Sequence, residues 1–391
     1  MNRTRLIATA IAALALAAPV AARSARPIAC PLRDQPYSSQ SPLIDLMLKP
    51  EAIAVIERDA PGLIGHIWAA SRSVTVPSFG TIITLRKATE SQPMSDEGWA
   101  LIDRDLASLP VTASDKQARC ARYDNDATPL SPPAGHPAIL VFEKMTGFLD
   151  KPSVDAAHAA LLAIAQRKGW SIVATDLGGA ITPANLRKFD VVIWNNVSGD
   201  ALTVEQRRIF RSYIEHGGGF AAVHGAGGDP SYFWDWYVDT LIGARFIGHP
   251  MGPQFQEARV VVDDPASPIV HDLAPGWTMT DEWYSFRPNP RARGAHILLT
   301  LDEASYSPRS GTKDLHMGDH PIAWTRCVGN GRSFFSAIGH RPEGYSEPHY
   351  VQVLEAGIAW AAGIGATRCE AGREVTRAAL SPRGRSARAD K

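Results

Sequence analysis

The stretch over residues 215–250 constrains the fold more than any other part of the chain. Gly217-Gly218-Gly219 leads into the apolar run Phe220-Ala221-Ala222-Val223, and His224-Gly225-Ala226-Gly227-Gly228 follows at once. An apolar run bounded by glycines on both sides predicts a short, buried, central strand. In an open parallel sheet, ligands bind beyond the carboxyl ends of the strands. His224 therefore falls where a ligand would be met. The small residues behind it let the backbone turn sharply and bring N–H groups close to that ligand. Trp234, Trp236, Tyr237 and His249 follow within the same stretch. A single histidine after a strand is more often a structural hydrogen-bonding residue, so a functional role depends on polar groups supplied by later segments.

Strands and helices alternate around this run. Residues 138–142, 171–174 and 191–194 read as strands. Val154, Ala157, Leu161, Ile164 and Ala165 fall at helical spacing before Gly169. Thr203 with Gln206 makes a capping box for a helix that carries Phe210, Tyr213 and Ile214 on one face. Alternation of this kind predicts an α/β fold, a parallel sheet with helices on both faces. After His249 the chain becomes strand-rich, with short β candidates at 258–262, 297–300, 321–324 and 333–336. A last helix starts at Pro348, places Val351, Leu354, Ile358 and Ala361 inward, and is closed by Gly363.

The ends and the first third read differently. Arg3 and Arg5, an apolar run over residues 6–18, and Val20-Ala21-Ala22 form the three parts of an export signal over residues 1–22. The apolar run is too short for a good membrane span, so the expected location is periplasmic or secreted. Cys30 raises a lipoprotein alternative, which Pro27, Arg23 and Arg26 oppose. Export makes the four cysteines candidates for disulfides. Of three possible pairings, Cys30–Cys120 with Cys327–Cys369 closes each pair within one region. Residues 40–115 form a small helical module, with Ser95-Asp96-Glu97 as a helix start, expected to be a separate docking or spacer unit. Residues 121–137 read as a linker, 138–365 as the main domain and 370–391 as a disordered basic tail. A formal net charge of zero argues against nucleic acid or an anionic membrane as partner.

Four segments of the second half place polar side chains in loops beside strands: Asp281-Glu282-Trp283-Tyr284, His316 to His320, and His340-Arg341-Pro342-Glu343, with His249 before them. Histidines and carboxylates so gathered suit general acid–base work or metal ligation. His224, Glu282 and His340 are the candidate catalytic residues. Trp236, Tyr237, His249, Asp281, Trp283, Tyr284 and His320 are candidates for substrate binding, the aromatics as flat surfaces for a sugar ring. A divalent metal is the cofactor such a set could take, on His224, His249, Glu282 and His340. No HExxH, GxSxG or P-loop spacing occurs, and the cysteines stand in no nucleophile context.

The runs FDVVIWNN, GGGFAAVHGA, FWDWY, GARFIGHP, DEWYSF, LLTLDEASY, DHPIAW and GRSFFSAIGH resemble, in order, the trehalose-utilisation or ThuA-like family. The resemblance implies the flavodoxin-like, class I glutamine amidotransferase-like fold and a role in the metabolism of sugars, including disaccharides and keto-sugar derivatives. In glutamine amidotransferases the position of His224 carries the nucleophilic cysteine, and the partner histidine lies in a segment similar to 339–343. Imidazole in place of the thiol removes acyl transfer through a thioester. One departure is local: family members often carry Arg-His where this chain has Leu149-Asp150 after Gly147-Phe148. The expectation is an exported protein acting on a small sugar or sugar derivative, as a metal-assisted hydrolase or lyase or by His/Glu acid–base chemistry. The alternatives are a carbohydrate-binding protein without turnover and a structural protein.

Overall fold

The computed structural model describes residues 28–365 and 367–376, so the expected export signal lies outside the described residues. Nine strands form the central sheet: Ala138–Phe142 (β1), Ser171–Thr175 (β2), Val191–Asn195 (β3), Gly219–Val223 (β4), Gln256–Val262 (β5), Gly276–Asp281 (β6), His296–Asp302 (β7), Pro321–Val328 (β8) and Gly331–Ser336 (β9). Their order is β2-β1-β3-β4-β9-β8-β7-β5-β6. The first five are parallel, in the flavodoxin-like order, as strand–helix alternation predicted. The other four pair antiparallel; these come from the strand-rich part after His249.

Every residue of β3, β4 and β9 is buried. Both faces of the central sheet are therefore covered, which is why these strands read as unbroken apolar runs rather than alternating ones. Helices Lys151–Lys168 and Pro348–Ala361 pack on the strands. Gly169 ends the first with φ 69°, and Val204–Glu215 starts with the expected Thr203–Gln206 capping box. Pairing of Val223 with Asn195 on one side and Ser336 on the other brings the residues that follow β3, β4 and β9 to one edge.

The amino-terminal helices, chiefly Leu43–Met47, Pro50–Asp59, Asp96–Ala107 and Ala113–Cys120, enclose their own small core of Leu43, Leu46, Ile56, Leu85, Ile102 and Leu106. The module is not separate. Thr81 Oγ1 donates to the Thr146 carbonyl at 2.9 Å, Ser78 N to the same oxygen at 3.0 Å, and Ser231 N to the Ile82 carbonyl at 3.0 Å. These bonds dock it on the loops after β1 and β4. Residues 121–137 are no free linker either. Asp124 accepts from Gly178 N and Gly179 N, and the Asn185 side chain bonds Leu130 N and the Thr128 carbonyl. Polar residues that read as a loop are here spent on satisfying neighbouring backbone groups.

Both expected disulfides are present, Cys30–Cys120 and Cys327–Cys369. With its sulfur in a disulfide, Cys30 is not a lipid attachment point. The second disulfide ties the hairpin Thr367–Glu370 and Arg373–Thr376 to β8. The tail expected to be disordered from Glu370 is thus ordered through Thr376, because a cross-link and a strand pair replace the apolar contacts its composition lacks. Among the described residues no helix is long and apolar enough to cross a membrane.

Candidate functional site

His224 is the first residue after β4, and its φ of +38° lies in the left-handed region. For a residue with a side chain this costs about 1–3 kcal/mol and persists only where the surroundings enforce it. Two contacts do so. Gly225 N donates to Asn196 Oδ1 at 3.1 Å, and His224 Nδ1 lies 2.8 Å from the Ala337 carbonyl after β9. A carbonyl only accepts, so Nδ1 carries the hydrogen and the neutral ring keeps its lone pair on Nε2. That atom is buried, has no hydrogen-bond partner, and lies 3.4 Å from Glu282 Oε2. A lone pair facing a carboxylate is repulsive; a proton or a cation between them resolves it.

Glu282 follows β6 and is 2% exposed. His340 Nδ1 lies 2.9 Å from Oε2 and His249 Nδ1 3.2 Å from Oε1. The Gln254 amide donates to Oε1 as well. Burial alone would raise the Glu282 pKa, but the close His224 imidazole, which can donate once Nε2 is protonated, the bond from His340 and the charge of a protonated His249 outweigh it and hold the carboxyl well below the usual range. His340 is shifted the other way. Burial lowers it, yet the bond to Glu282 and the nearby carboxylates leave it above the ordinary imidazole value.

Two local features place these groups. Asp281, fully buried, accepts from the backbone N–H of Gly339 (2.7 Å), His340 (3.1 Å), Arg341 (3.0 Å) and Glu282 (2.8 Å), so one carboxylate clamps the loop that presents His340 against Glu282. Burial pushes its pKa up, against the pull of His224 and these donors. Separately, strand Arg245–Gly248 pairs antiparallel with Ser285–Arg287, which brings His249 beside Tyr284 and Glu282.

One donor atom each from His224, Glu282 and His340 lies within 4.8 Å of the others. Two imidazoles and a carboxylate are the donor set of divalent zinc and similar cations, and the orphaned Nε2 of His224 points into it. The residues fit such an ion. Asp150 adds a carboxylate, its Oδ2 3.4 Å from His340 Nε2; it stands where the family resemblance called for histidine.

These groups open into a cavity of about 620 Å³ lined by Glu282, His249, His340, Gln254 and Tyr284, with a wall of aromatic side chains. The Tyr284 ring stacks on His224 with centroids 4.2 Å apart. A Cβ at position 228 would come within 2.5 Å of the Tyr284 hydroxyl, so only glycine fits there. Asp229 also lines the cavity. Burial raises its pKa to about 7, against bonds from Ser198 Oγ and Gly199 N, which makes it a carboxyl able to exchange a proton near neutrality.

The structure brings His224, His249, Glu282, His340 and Tyr284 together, all but His224 lining the cavity, and leaves five expected residues out of this cluster. Tyr237 is buried, donates to the Ala226 carbonyl at 2.6 Å and stacks on Trp194. Trp236 packs under Arg211 and against Trp234. Both lie in a π-helical segment, Trp236–Ile242, that turns Tyr237 onto β3 and Trp236 toward the helix that carries Arg211. Trp283 is core and donates its indole N–H to the Gln256 carbonyl. Asp281 acts only through the loop it holds. His320 lies between the Tyr284 carbonyl (2.9 Å) and Glu303 (2.7 Å), so it supports Tyr284 from behind. Sequence reasoning missed Asn196, Asp150, Asp229 and the aromatic wall. Asp229 had a signal, since it ends the glycine run behind His224; the wall had none.

A flavodoxin-like sheet with a histidine–carboxylate cluster and a cavity at the carboxyl edge of its parallel strands defines the class: an α/β protein. Within it, the family described as ThuA, trehalose utilisation, matches residues 138–361, and the chain belongs to that family. A ThuA-like protein from Bacteroides uniformis shares the fold at a TM-score of 0.51 and 23% identity, over 60% of this chain and 95% of the other. Another, from Parabacteroides merdae, superposes at 0.44 with 17% identity over 58% and 90%. No curated protein matches the chain.

Proposed function

We propose that this chain is an exported carbohydrate-active enzyme that acts on a small sugar or keto-sugar derivative, with Glu282, His224 and His340 at its centre. The observation that carries the reading is the buried Glu282 carboxylate, touched by three histidines at the floor of a cavity. Structural histidines are satisfied one by one, as His320 is; a shared carboxylate with an unpaired Nε2 is a poised arrangement. The family description, trehalose utilisation, supports a sugar as the ligand, and the two disulfides support export to an oxidising compartment.

In this reading Glu282 positions both imidazoles and stabilises each one when it is protonated. His224 Nε2 takes a proton, since its Nδ1 hydrogen is held by Ala337. His340, its pKa raised, is the group that returns one, and Asp229 is a second donor. His224, Glu282 and His340 would hold a divalent ion, which would supply Lewis-acid polarisation of a substrate oxygen. Replacing Glu282 by Gln keeps the shape and removes the charge. Turnover of a reducing-sugar-releasing panel of disaccharides and glycosides should then fall by ~10²-fold or more, with melting temperature near wild type. A variant that melts early but turns over normally would return Glu282 to a structural role.

A further inference from the structure

We propose that the amino-terminal helical module builds a subsite for a flat, apolar aglycone, so that the substrate is a sugar joined to an aromatic group and not a free disaccharide. The inference rests on the reading of the cavity as a sugar site. From His340 a line of rings runs outward: Phe148 at 6.0 Å, Phe79 a further 5.0 Å on, and Trp68 another 4.9 Å, centroid to centroid. Phe148 comes from the loop after β1, while Phe79 and Trp68 come from the module. All three line the cavity that holds Glu282. At its mouth Trp68 is 60% exposed and Met251 51%. Large apolar side chains left in water around one cavity mark a surface meant to be covered.

The chemistry of the wall selects the occupant. The polar side chains gather around Glu282, where His249, Gln254 and His340 all reach it. The line through Phe148 and Phe79 ends at the indole of Trp68, and the polar side chains beside it, Ser198 and Asp229, are bonded to each other and to the N–H groups of Phe148 and Gly199. A second sugar ring there would stack on an aromatic face, but its hydroxyls would lose water without gaining partners, at a cost that stacking does not offset. An aryl group loses nothing and gains offset or edge contacts with each ring. The cavity thus reads as one polar end for a sugar and one apolar end for its substituent.

The test is calorimetric binding of the purified protein to matched 4-nitrophenyl and methyl hexopyranosides, both anomers of glucose, galactose and mannose, with 4-nitrophenol alone as a further probe. Wild type, Trp68→Ala and Trp68→Phe are compared; Trp68 is exposed enough that its loss should not disturb folding. The expected result is binding about tenfold or more tighter for a 4-nitrophenyl glycoside than for its methyl counterpart. That advantage should vanish in Trp68→Ala, survive in Trp68→Phe, and leave the methyl glycoside's Kd unchanged. Equal affinity for the pair, or an advantage that survives Trp68→Ala, overturns the aglycone subsite and leaves the sugar reading standing. Trp68-dependent binding of 4-nitrophenol with no glycoside bound overturns the sugar reading and the substrate class with it. No binding of any probe overturns both.

Discussion

His224 shows what a single residue can and cannot disclose in sequence. Its place after a glycine-bounded apolar run was enough to put it at the carboxyl edge of the sheet, and the positive φ and the Ala337 bond then fix which nitrogen faces Glu282. We predict that His224→Asn keeps the fold, because asparagine tolerates positive φ, and lowers turnover by ~10²-fold. A merely structural histidine would instead show a stability loss of about 1–2 kcal/mol with normal kinetics; melting and turnover on one preparation separate the two. Metal analysis by mass spectrometry adds a second check. Wild type should hold about one divalent ion per chain, and His224→Asn and His340→Asn should lose most of it. Equal content in all three proteins, none included, would leave acid–base chemistry alone. Not every residue was legible. Trp236 and Tyr237 follow His224 by 12 and 13 residues, but proximity along the chain says nothing about the direction a side chain takes: from a π-helical turn Tyr237 packs on Trp194 and Trp236 on Arg211.

Elements were more legible than side chains. Strand–helix alternation gave the parallel half, because covered faces force continuous apolar strands. The antiparallel half was visible only as scattered short runs, since register there depends on pairing across long loops. The segment from His316 to His320 is an example. It read as a possible site and is a support: Glu303 accepts from Met317 N and Gly318 N and meets His320, which in turn holds Tyr284. Burial raises the Glu303 pKa, but the His320 bond and the two N–H donors bring it down to about 2. With the folded pKa below the unfolded one, its contribution is complete above about pH 4.3 and is lost as pH falls toward 2. Denaturant melts between pH 6 and 2 should therefore show a stability loss of about 1–2 kcal/mol, after discounting for partial exposure, that Glu303→Gln removes. An acid limb identical in the variant would place the acid sensitivity elsewhere.

At the scale of the whole molecule, the module expected to be a docking or spacer unit lines the cavity with Trp68, Phe79 and Ile82, and three kinds of bond hold it together and in place. The Cys30–Cys120 disulfide ties its two ends across 90 residues, worth about 4–5 kcal/mol on the chain-entropy account. Backbone bonds from Ser78, Thr81 and Ser231 set it on the loops beside the cavity. The Arg122–Asp45 pair, 2.7 Å apart and almost wholly buried, fixes the first helix to the segment that enters the main domain. The chain pattern could not reveal this docking, because charges that pair across 77 residues look solvated when read singly. A buried pair is fragile in one direction only. Removing one partner strands the other's charge, at about 3–5 kcal/mol, whereas replacing both with apolar residues of similar size is often nearly neutral. We therefore expect Asp45→Leu to lower the chain's unfolding free energy by about 3–5 kcal/mol, and Asp45→Leu with Arg122→Met to recover most of it. If docking matters for the site, the single variant should also weaken aryl-glycoside binding more than methyl-glycoside binding, because Trp68 and Phe79 move with the module while Glu282 does not. A single variant as stable as wild type would mean that water reaches the pair and that the module is held by its backbone bonds and disulfide alone.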